Sequence, residues 1–77
     1  MNARDVLNEL KWHHKKDLSS AMIFYVHRGA PDDRRIISGS EIIELASSFF
    51  HTGDASIPYH RVFRIDHDGR TIFERAR

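Results

Sequence analysis

The chain contains no cysteine among its 77 residues, which excludes disulfide bonds and thiolate metal sites and is typical of a reducing compartment. No apolar run approaches the roughly 18 residues that suggest a transmembrane helix, and no charged-then-apolar leader is present. We therefore expect a single cytoplasmic domain over residues 1–77 that makes no contact with a membrane.

Neither sign of charge dominates, since 12 lysine and arginine residues oppose 11 aspartate and glutamate residues. A protein that coats a long stretch of nucleic acid is usually more basic than this. Any anion site must therefore be a local patch. The composition favours a compact target, such as one phosphate or one strand end, over a long duplex.

Motifs that identify several enzyme and metal-binding classes are also absent. The six histidines include no His-Glu-x-x-His spacing, and the chain has neither a Gly-x-Ser-x-Gly motif nor a Gly-x-x-x-x-Gly-Lys loop. No histidine is followed at the second position by serine or threonine, as the two-histidine phosphoesterases require. We expect no metal and no cofactor, and we assign no catalytic residue.

The hydrophobic periodicity and the turn residues predict an α+β fold. An N-terminal helix, capped by Asn2, is expected to pack on a small curved antiparallel sheet of about four to five strands, with a short helix between strands. The apolar stripe of the first helix consists of Val6, Leu7 and Leu10, and Trp12 is a candidate to close it.

The predicted strands cover residues 21–26, 34–37, 48–51, 57–65 and 70–74, and the short helix covers residues 40–45 with Ser40 as its cap. The alternative for residues 48–51 is that they continue this helix. Asp68-Gly69 is typical of a tight hairpin turn. A regular two-residue loop there would place Ile65 opposite Ile72.

Two His-Arg pairs, His27-Arg28 and His60-Arg61, lie where apolar runs meet turn-forming residues. Arginine supplies a permanent charge and a planar fork of donors, and histidine can donate, accept or transfer a proton near neutral pH. Gly29 permits a positive φ or the close approach of a ligand to the backbone. If the fold brings the two pairs together, they form an anion clamp that suits a phosphate group.

Strand geometry limits each pair, because neighbouring residues of a regular strand point to opposite faces. Over residues 57–65, either Arg61 or His60 would reach a given pocket, unless a bulge near Pro58 to Arg61 re-aims one side chain. The structural alternative is that the arginines form salt bridges with loop carboxylates, namely Asp32, Asp33 and Asp66.

A basic segment, His13-His14-Lys15-Lys16, follows Trp12. Basic side chains beside an aromatic ring are typical of surfaces that bind single-stranded RNA. The alternatives are a solvated loop after a helix and a Trp12 side chain that belongs to the core.

Several blocks of the chain resemble a small archaeal family of uncharacterised proteins that has been proposed to be an RNA cyclic-group end recognition domain. The resemblance covers nearly the whole chain. It is carried by Arg4-Asp5-Val6-Leu7-Asn8, Tyr25-Val26-His27-Arg28-Gly29-Ala30-Pro31-Asp32-Asp33, Ser40-Glu41-Ile42, Phe49-Phe50 and Ile57-Pro58-Tyr59-His60-Arg61-Val62.

The resemblance implies a non-catalytic module that binds RNA 3′ ends carrying a 2′,3′-cyclic phosphate during RNA processing or repair. RNA ligases, cyclases or phosphoesterases would be its protein partners. Arg28 and Arg61 would contact the phosphate, His27 and His60 the ring oxygens or the ribose, and Tyr59 or Trp12 would stack on the terminal base. Two alternatives stay open: a cyclic phosphodiesterase that uses His27 and His60, and a structural or adaptor domain.

Overall fold

The computed structural model describes residues 2–13 and 17–76. These residues form one α-helix, α1 (Ala3–Trp12), and a series of short strands joined by turns. In chain order the strands are β1 (Ala21–Val26), β2 (Arg34–Ser38), β3 (Glu44–Leu45), β4 (Phe49–His51), β5 (Ser56–Pro58), β6 (Val62–His67) and β7 (Arg70–Glu74).

The strands form two antiparallel sheets, which confirms the α+β class but divides the single predicted sheet. The larger sheet has the order β2-β1-β6-β7, and the smaller has the order β3-β4-β5. The chain therefore enters the smaller sheet after β2 and returns to the larger sheet at β6.

Helix α1 begins as its sequence predicts. The Asn2 side chain accepts a hydrogen bond from the backbone N–H of Asp5, which satisfies one of the free donors of the first turn. Its inward face carries Ala3, Val6, Leu7 and Leu10. Trp12 does not close this stripe, since its side chain is 74% exposed at the last residue of the helix.

A single hydrophobic cluster joins α1 to both sheets. The six large side chains that are fully buried come from all three parts of the fold: Leu7, Leu10, Ile23, Phe50, Val62 and Ile65. Removal of this apolar surface from water supplies the main driving force for folding. Both sheets and the helix therefore pack on one shared core.

Residues 40–45 do not form the predicted helix. A 3-10 turn covers Gly39–Glu41 and is capped by Ser38, whose hydroxyl accepts from the Ser40 N–H while the Glu41 carboxylate accepts from the Ser38 N–H. Ile43 then donates its backbone N–H to His51, beside the short strand β3. Ile43 is 70% exposed, so the apolar residues of this segment do not form an inward helical stripe.

The predicted strand over residues 57–65 is also divided. Strand β5 ends at Pro58, a 3-10 turn covers Tyr59–Arg61, and β6 begins at Val62 in the other sheet. We name Tyr59–Arg61 the crossover turn. The β-bulge lies further along than predicted, because the pairing of β1 with β6 shifts register between Phe24 and Tyr25 and leaves Phe63 as the extra residue.

The hairpin between β6 and β7 has the predicted turn and a different register. Asp68 and Gly69 both have positive φ, at 51° and 80°, as a tight two-residue hairpin requires. A second register shift follows Ile65, so Ile65 lies opposite Phe73 rather than Ile72.

Within the described residues, no helix has the length and apolar character needed to span a membrane.

Candidate functional site

The loop after β1 places the first His-Arg pair at the mouth of a hairpin. His27 donates its backbone N–H to the Asp33 carbonyl, and the Ala30 N–H donates back to the His27 carbonyl at 3.2 Å. Gly29 lies at φ +90°, where a side chain is disfavoured, and its N–H points to the Asp33 carboxylate at 3.4 Å. This hydrogen bonding directs the loop back on itself and leaves the Arg28 side chain exposed.

The crossover turn positions the second pair. The Val62 N–H donates to the Tyr59 carbonyl and closes the turn. From beyond the end of β7, the Arg75 guanidinium donates to the carbonyls of Val62, at 2.9 Å, and His60. These hydrogen bonds hold the backbone of the turn in place, while the side chains of His60 and Arg61 are exposed.

Arg28 and Arg61 meet in one cavity. This cavity, which we name the arginine cavity, has a volume of about 410 Å³ and is lined by Val26, His27, Arg28 and Arg61. His27 is half-buried, and its ring makes an edge-on contact with Tyr25 at 6.2 Å between centroids. The fold thus brings both arginines together with one of the two histidines, as an anion clamp requires.

The charges of the arginine cavity are not cancelled by carboxylates. Within residues 2–13 and 17–76, neither Arg28 nor Arg61 forms an ion pair. Asp66 instead binds Arg64 through two hydrogen bonds of 2.9 Å, which raise the pKa of Arg64 and lower that of Asp66. Of the carboxylates named in the structural alternative, Asp66 is therefore paired with a different arginine, Arg64.

A side pocket of about 130 Å³ adjoins the arginine cavity, since His27 and Arg61 line both. It adds Arg35 and Ser56, which the sequence analysis did not select. Arg35 lies opposite Tyr25 in the β1–β2 pairing. Knowledge of this register would have been needed to predict that Arg35 lies at the site. Across the smaller sheet, the Ser56 hydroxyl forms a hydrogen bond of 2.7 Å with Nδ1 of the His51 ring. No sequence pattern predicts this contact.

His60, also in the crossover turn, does not line the arginine cavity. It lines a separate cavity, also of about 410 Å³, to which Arg4 of helix α1 contributes. We name this the Arg4 cavity. Its other lining residues are Asn2, Ala3, Ser47, Ser48, Tyr59 and Arg75. The second histidine predicted for the clamp is therefore not in the arginine cavity.

Tyr59 is a core residue with one edge at the Arg4 cavity. Its ring packs on Phe50 at 5.6 Å, and its hydroxyl donates to the Ala46 carbonyl at 2.7 Å. Burial raises the pKa of this hydroxyl and keeps it protonated as a donor. Because the side chain is only 9% exposed, it offers no open face for the base stacking that the sequence analysis assigned to it.

Trp12 is open to solvent but lines none of these three cavities. The Lys11 ammonium lies 5.1 Å from the centre of its ring. The rest of the predicted basic patch, His14 to Lys16, falls outside the described residues. The described residues also contain no group of three or more His, Cys, Asp or Glu side chains that could hold a metal ion.

The arrangement can bind a small anion through an imidazole and two guanidinium groups that have no ion-pair partner among the residues that the structure describes. One guanidinium group can bind two phosphate oxygens at once, through two short charge-assisted hydrogen bonds. Arg35 in the side pocket adds a third positive charge at the same edge of the molecule. Three arginines thus line two adjoining cavities on a chain of nearly balanced charge.

This chain is similar to a known protein family. The family model of the MJ1316 RNA cyclic group end recognition domain matches residues 1–75. The UPF0248 protein of Thermococcus onnurineus is 40% identical over 74 residues, which cover 95% of this chain and 84% of the relative.

Two further archaeal relatives are similarly close. The UPF0248 protein of Methanococcus vannielii is 39% identical over 62 residues, covering 80% of this chain and 74% of the relative. The UPF0248 protein of Methanopyrus kandleri is 39% identical over 61 residues, covering 79% and 82%. No solved structure gives a significant match. Since the family model spans nearly the whole chain, the protein belongs to the MJ1316 RNA cyclic group end recognition domain family.

Proposed function

We propose that this protein is a non-catalytic module that binds RNA 3′ ends carrying a 2′,3′-cyclic phosphate. The observation that carries the proposal is the convergence of Arg28, Arg61 and His27 on one cavity in which the arginines have no ion-pair partner among the described residues. The description of the family supports the same ligand.

The chemistry of the ligand suits this cavity. A 2′,3′-cyclic phosphate has one negative charge shared by two free oxygens, which a guanidinium group bridges. Arg28 and Arg61 contact these oxygens from the two sides of the cavity. His27 donates to a ring oxygen or to the ribose. Arg35 and Ser56, in the side pocket, provide further donors to the sugar edge.

A binding role is better supported than a cyclic phosphodiesterase. An acid and a base that act on one phosphate must both lie within hydrogen-bond reach of it. His27 and His60 line different cavities. We therefore expect stoichiometric binding without turnover.

The cellular role that follows is in RNA processing or repair in the cytoplasm. RNA cyclases make cyclic ends, and ligases and phosphoesterases consume them. A domain that binds such an end without cleaving it can hold it for one of these enzymes, which are therefore its expected protein partners.

The test is a binding titration of short RNA oligonucleotides that differ only at the 3′ end: cyclic phosphate, 3′-monophosphate or hydroxyl. Arg28→Ala and Arg61→Ala should each weaken binding of the cyclic end by about tenfold or more, because each removes a charge-assisted contact. Arg70→Ala is the matched control, since this exposed arginine lies at the β6–β7 hairpin and lines none of the three cavities.

Unchanged affinity in both cavity variants would contradict the proposal. The same samples, followed by chromatography, separate binding from catalysis. Conversion of the cyclic end to a monophosphate by the native protein, but not by His27→Ala, would favour the phosphodiesterase alternative.

A further inference from the structure

The Arg4 cavity carries chemistry that the proposed site does not use. It equals the arginine cavity in volume, at about 410 Å³, and each lies in the size range of small-molecule sites. Three of its lining residues can carry positive charge: Arg4, His60 and Arg75. Ser47 and Ser48 add two hydroxyl groups on its rim, from the segment that precedes β4.

No carboxylate lines the Arg4 cavity within the described part of the chain. Among the described residues, Arg4 and Arg75 also form no ion pair. The contacts of Arg75 are to the carbonyls of His60 and Val62, which orient its guanidinium without cancelling its charge. The Arg4 side chain is exposed on the first turn of α1.

The two large cavities are joined by the crossover turn. Arg61 lines the arginine cavity, and the preceding residue, His60, lines the Arg4 cavity. His60 and Arg61 are adjacent residues, with Cα atoms about 3.8 Å apart, so the crossover turn contributes to both cavities. An RNA strand that extends from the arginine cavity past this turn would therefore meet the positive side chains of the Arg4 cavity.

We propose that the Arg4 cavity is a subsite for the nucleotide that precedes the cyclic end, and that it binds the phosphodiester joining that nucleotide to the last one. This inference rests on the proposed function of the arginine cavity. Arg4 contacts the phosphodiester oxygens, and His60 donates to the same phosphate from the crossover turn. The serine hydroxyls face the ribose, whose 2′-OH is the group that distinguishes RNA from DNA.

The subsite is tested by comparing two ligands of the full-length protein: uridine 2′,3′-cyclic monophosphate and the dinucleotide UpU with the same cyclic end. We expect the native protein to bind the dinucleotide about tenfold more tightly, the value of one charge-assisted phosphate contact. Arg4→Gln should remove most of this gain and leave affinity for the mononucleotide within twofold. Arg61→Ala should weaken the binding of both ligands.

A salt titration gives a readout that a purely structural role would not change. Salt weakens the attraction between a cationic side chain and a phosphate, so affinity falls more steeply with salt when more phosphates are contacted. Affinity for the dinucleotide should therefore depend less on salt in Arg4→Gln than in the native protein, and the salt dependence should be unchanged in Arg70→Gln. His60→Gln should weaken dinucleotide binding severalfold and leave mononucleotide binding unchanged.

Equal affinity of the native protein for the two ligands would overturn the subsite and leave end recognition intact. Equal loss of both ligands in Arg4→Gln would also overturn it. If UpU with a 3′-hydroxyl binds as tightly as the cyclic form and still depends on Arg4, the subsite stands and end recognition falls. If none of these ligands binds, both proposals fail.

Discussion

His60 and Arg61 are adjacent in the chain, yet they line different cavities. A strand would also have separated them, but onto two faces of one sheet. The 3-10 turn instead places them at the point where the chain passes from the smaller sheet to the larger. The two side chains of this pair therefore belong to two different cavities and do not act together on one ligand group.

The Tyr59 hydroxyl is expected to stabilise the fold, because it donates to the Ala46 carbonyl from a ring packed on Phe50. Tyr59→Phe should lower the free energy of unfolding by about 1 kcal/mol, the usual net value of one such hydrogen bond. Urea denaturation measures this change. Tyr25→Phe is the control, because within the described residues its hydroxyl has no hydrogen bond. Equal stability of the two variants would contradict this role of Tyr59.

Gly39 is required by space, since a Cβ atom there would overlap the backbone carbonyl of Leu18. Gly39→Ala should therefore destabilise the protein by about 1–3 kcal/mol, the usual cost of forcing extra atoms into a packed site. Gly53→Ala is the matched control, because a Cβ atom at that position meets nothing within 4 Å. Thermal unfolding of the two variants makes the comparison, and similar melting temperatures would show that the backbone at Leu18 yields easily.

Asp66 should make stability depend on acid pH. Hydrogen bonds from Arg64, and a further one from Thr71 at 2.7 Å, lower its pKa in the folded state. Since the ionised form is favoured by folding, its contribution is present above the unfolded pKa of about 3.9 and is lost as the pH falls through the lower folded value.

Asp66→Asn should therefore melt a few degrees below the native protein at pH 5 to 8, and the difference should shrink below about pH 4. Asp54→Asn, in the exposed loop between β4 and β5, controls for the loss of one negative charge. A difference between Asp66→Asn and the native protein that stays constant down to pH 2 would show that the carboxylate charge is not its source.

Local signals predicted much of the fold. The Asn2 cap, the stripe of Val6, Leu7 and Leu10, and the Asp68-Gly69 turn depend on residues close together in the chain, and all are confirmed. The helix predicted over residues 40–45 failed because Ser38 and Glu41 form a capping box around one turn and not a longer helix. That outcome depends on the fit of Gly39 against Leu18, a contact between segments far apart in sequence.

Other features depended on pairings that a linear pattern does not contain. The bulges after Ile65 and at Phe63 changed two registers, and neither involves a proline or glycine that would mark it. The position of Arg35 beside the arginine cavity follows from its pairing with Tyr25. The site residues themselves stood out as His-Arg pairs, but only the division of residues 57–65 between two sheets assigns His60 and Arg61 to different surfaces.

The geometry of the crossover turn also makes it a poor position for inserted residues. One residue inserted between Tyr59 and Val62 would rotate His60 and Arg61 away from their cavities and displace the two carbonyls that Arg75 holds. The β6–β7 hairpin, whose turn residues line none of the three cavities, has no such restriction. A tag, a loop or a fused domain is therefore best inserted at Asp68-Gly69.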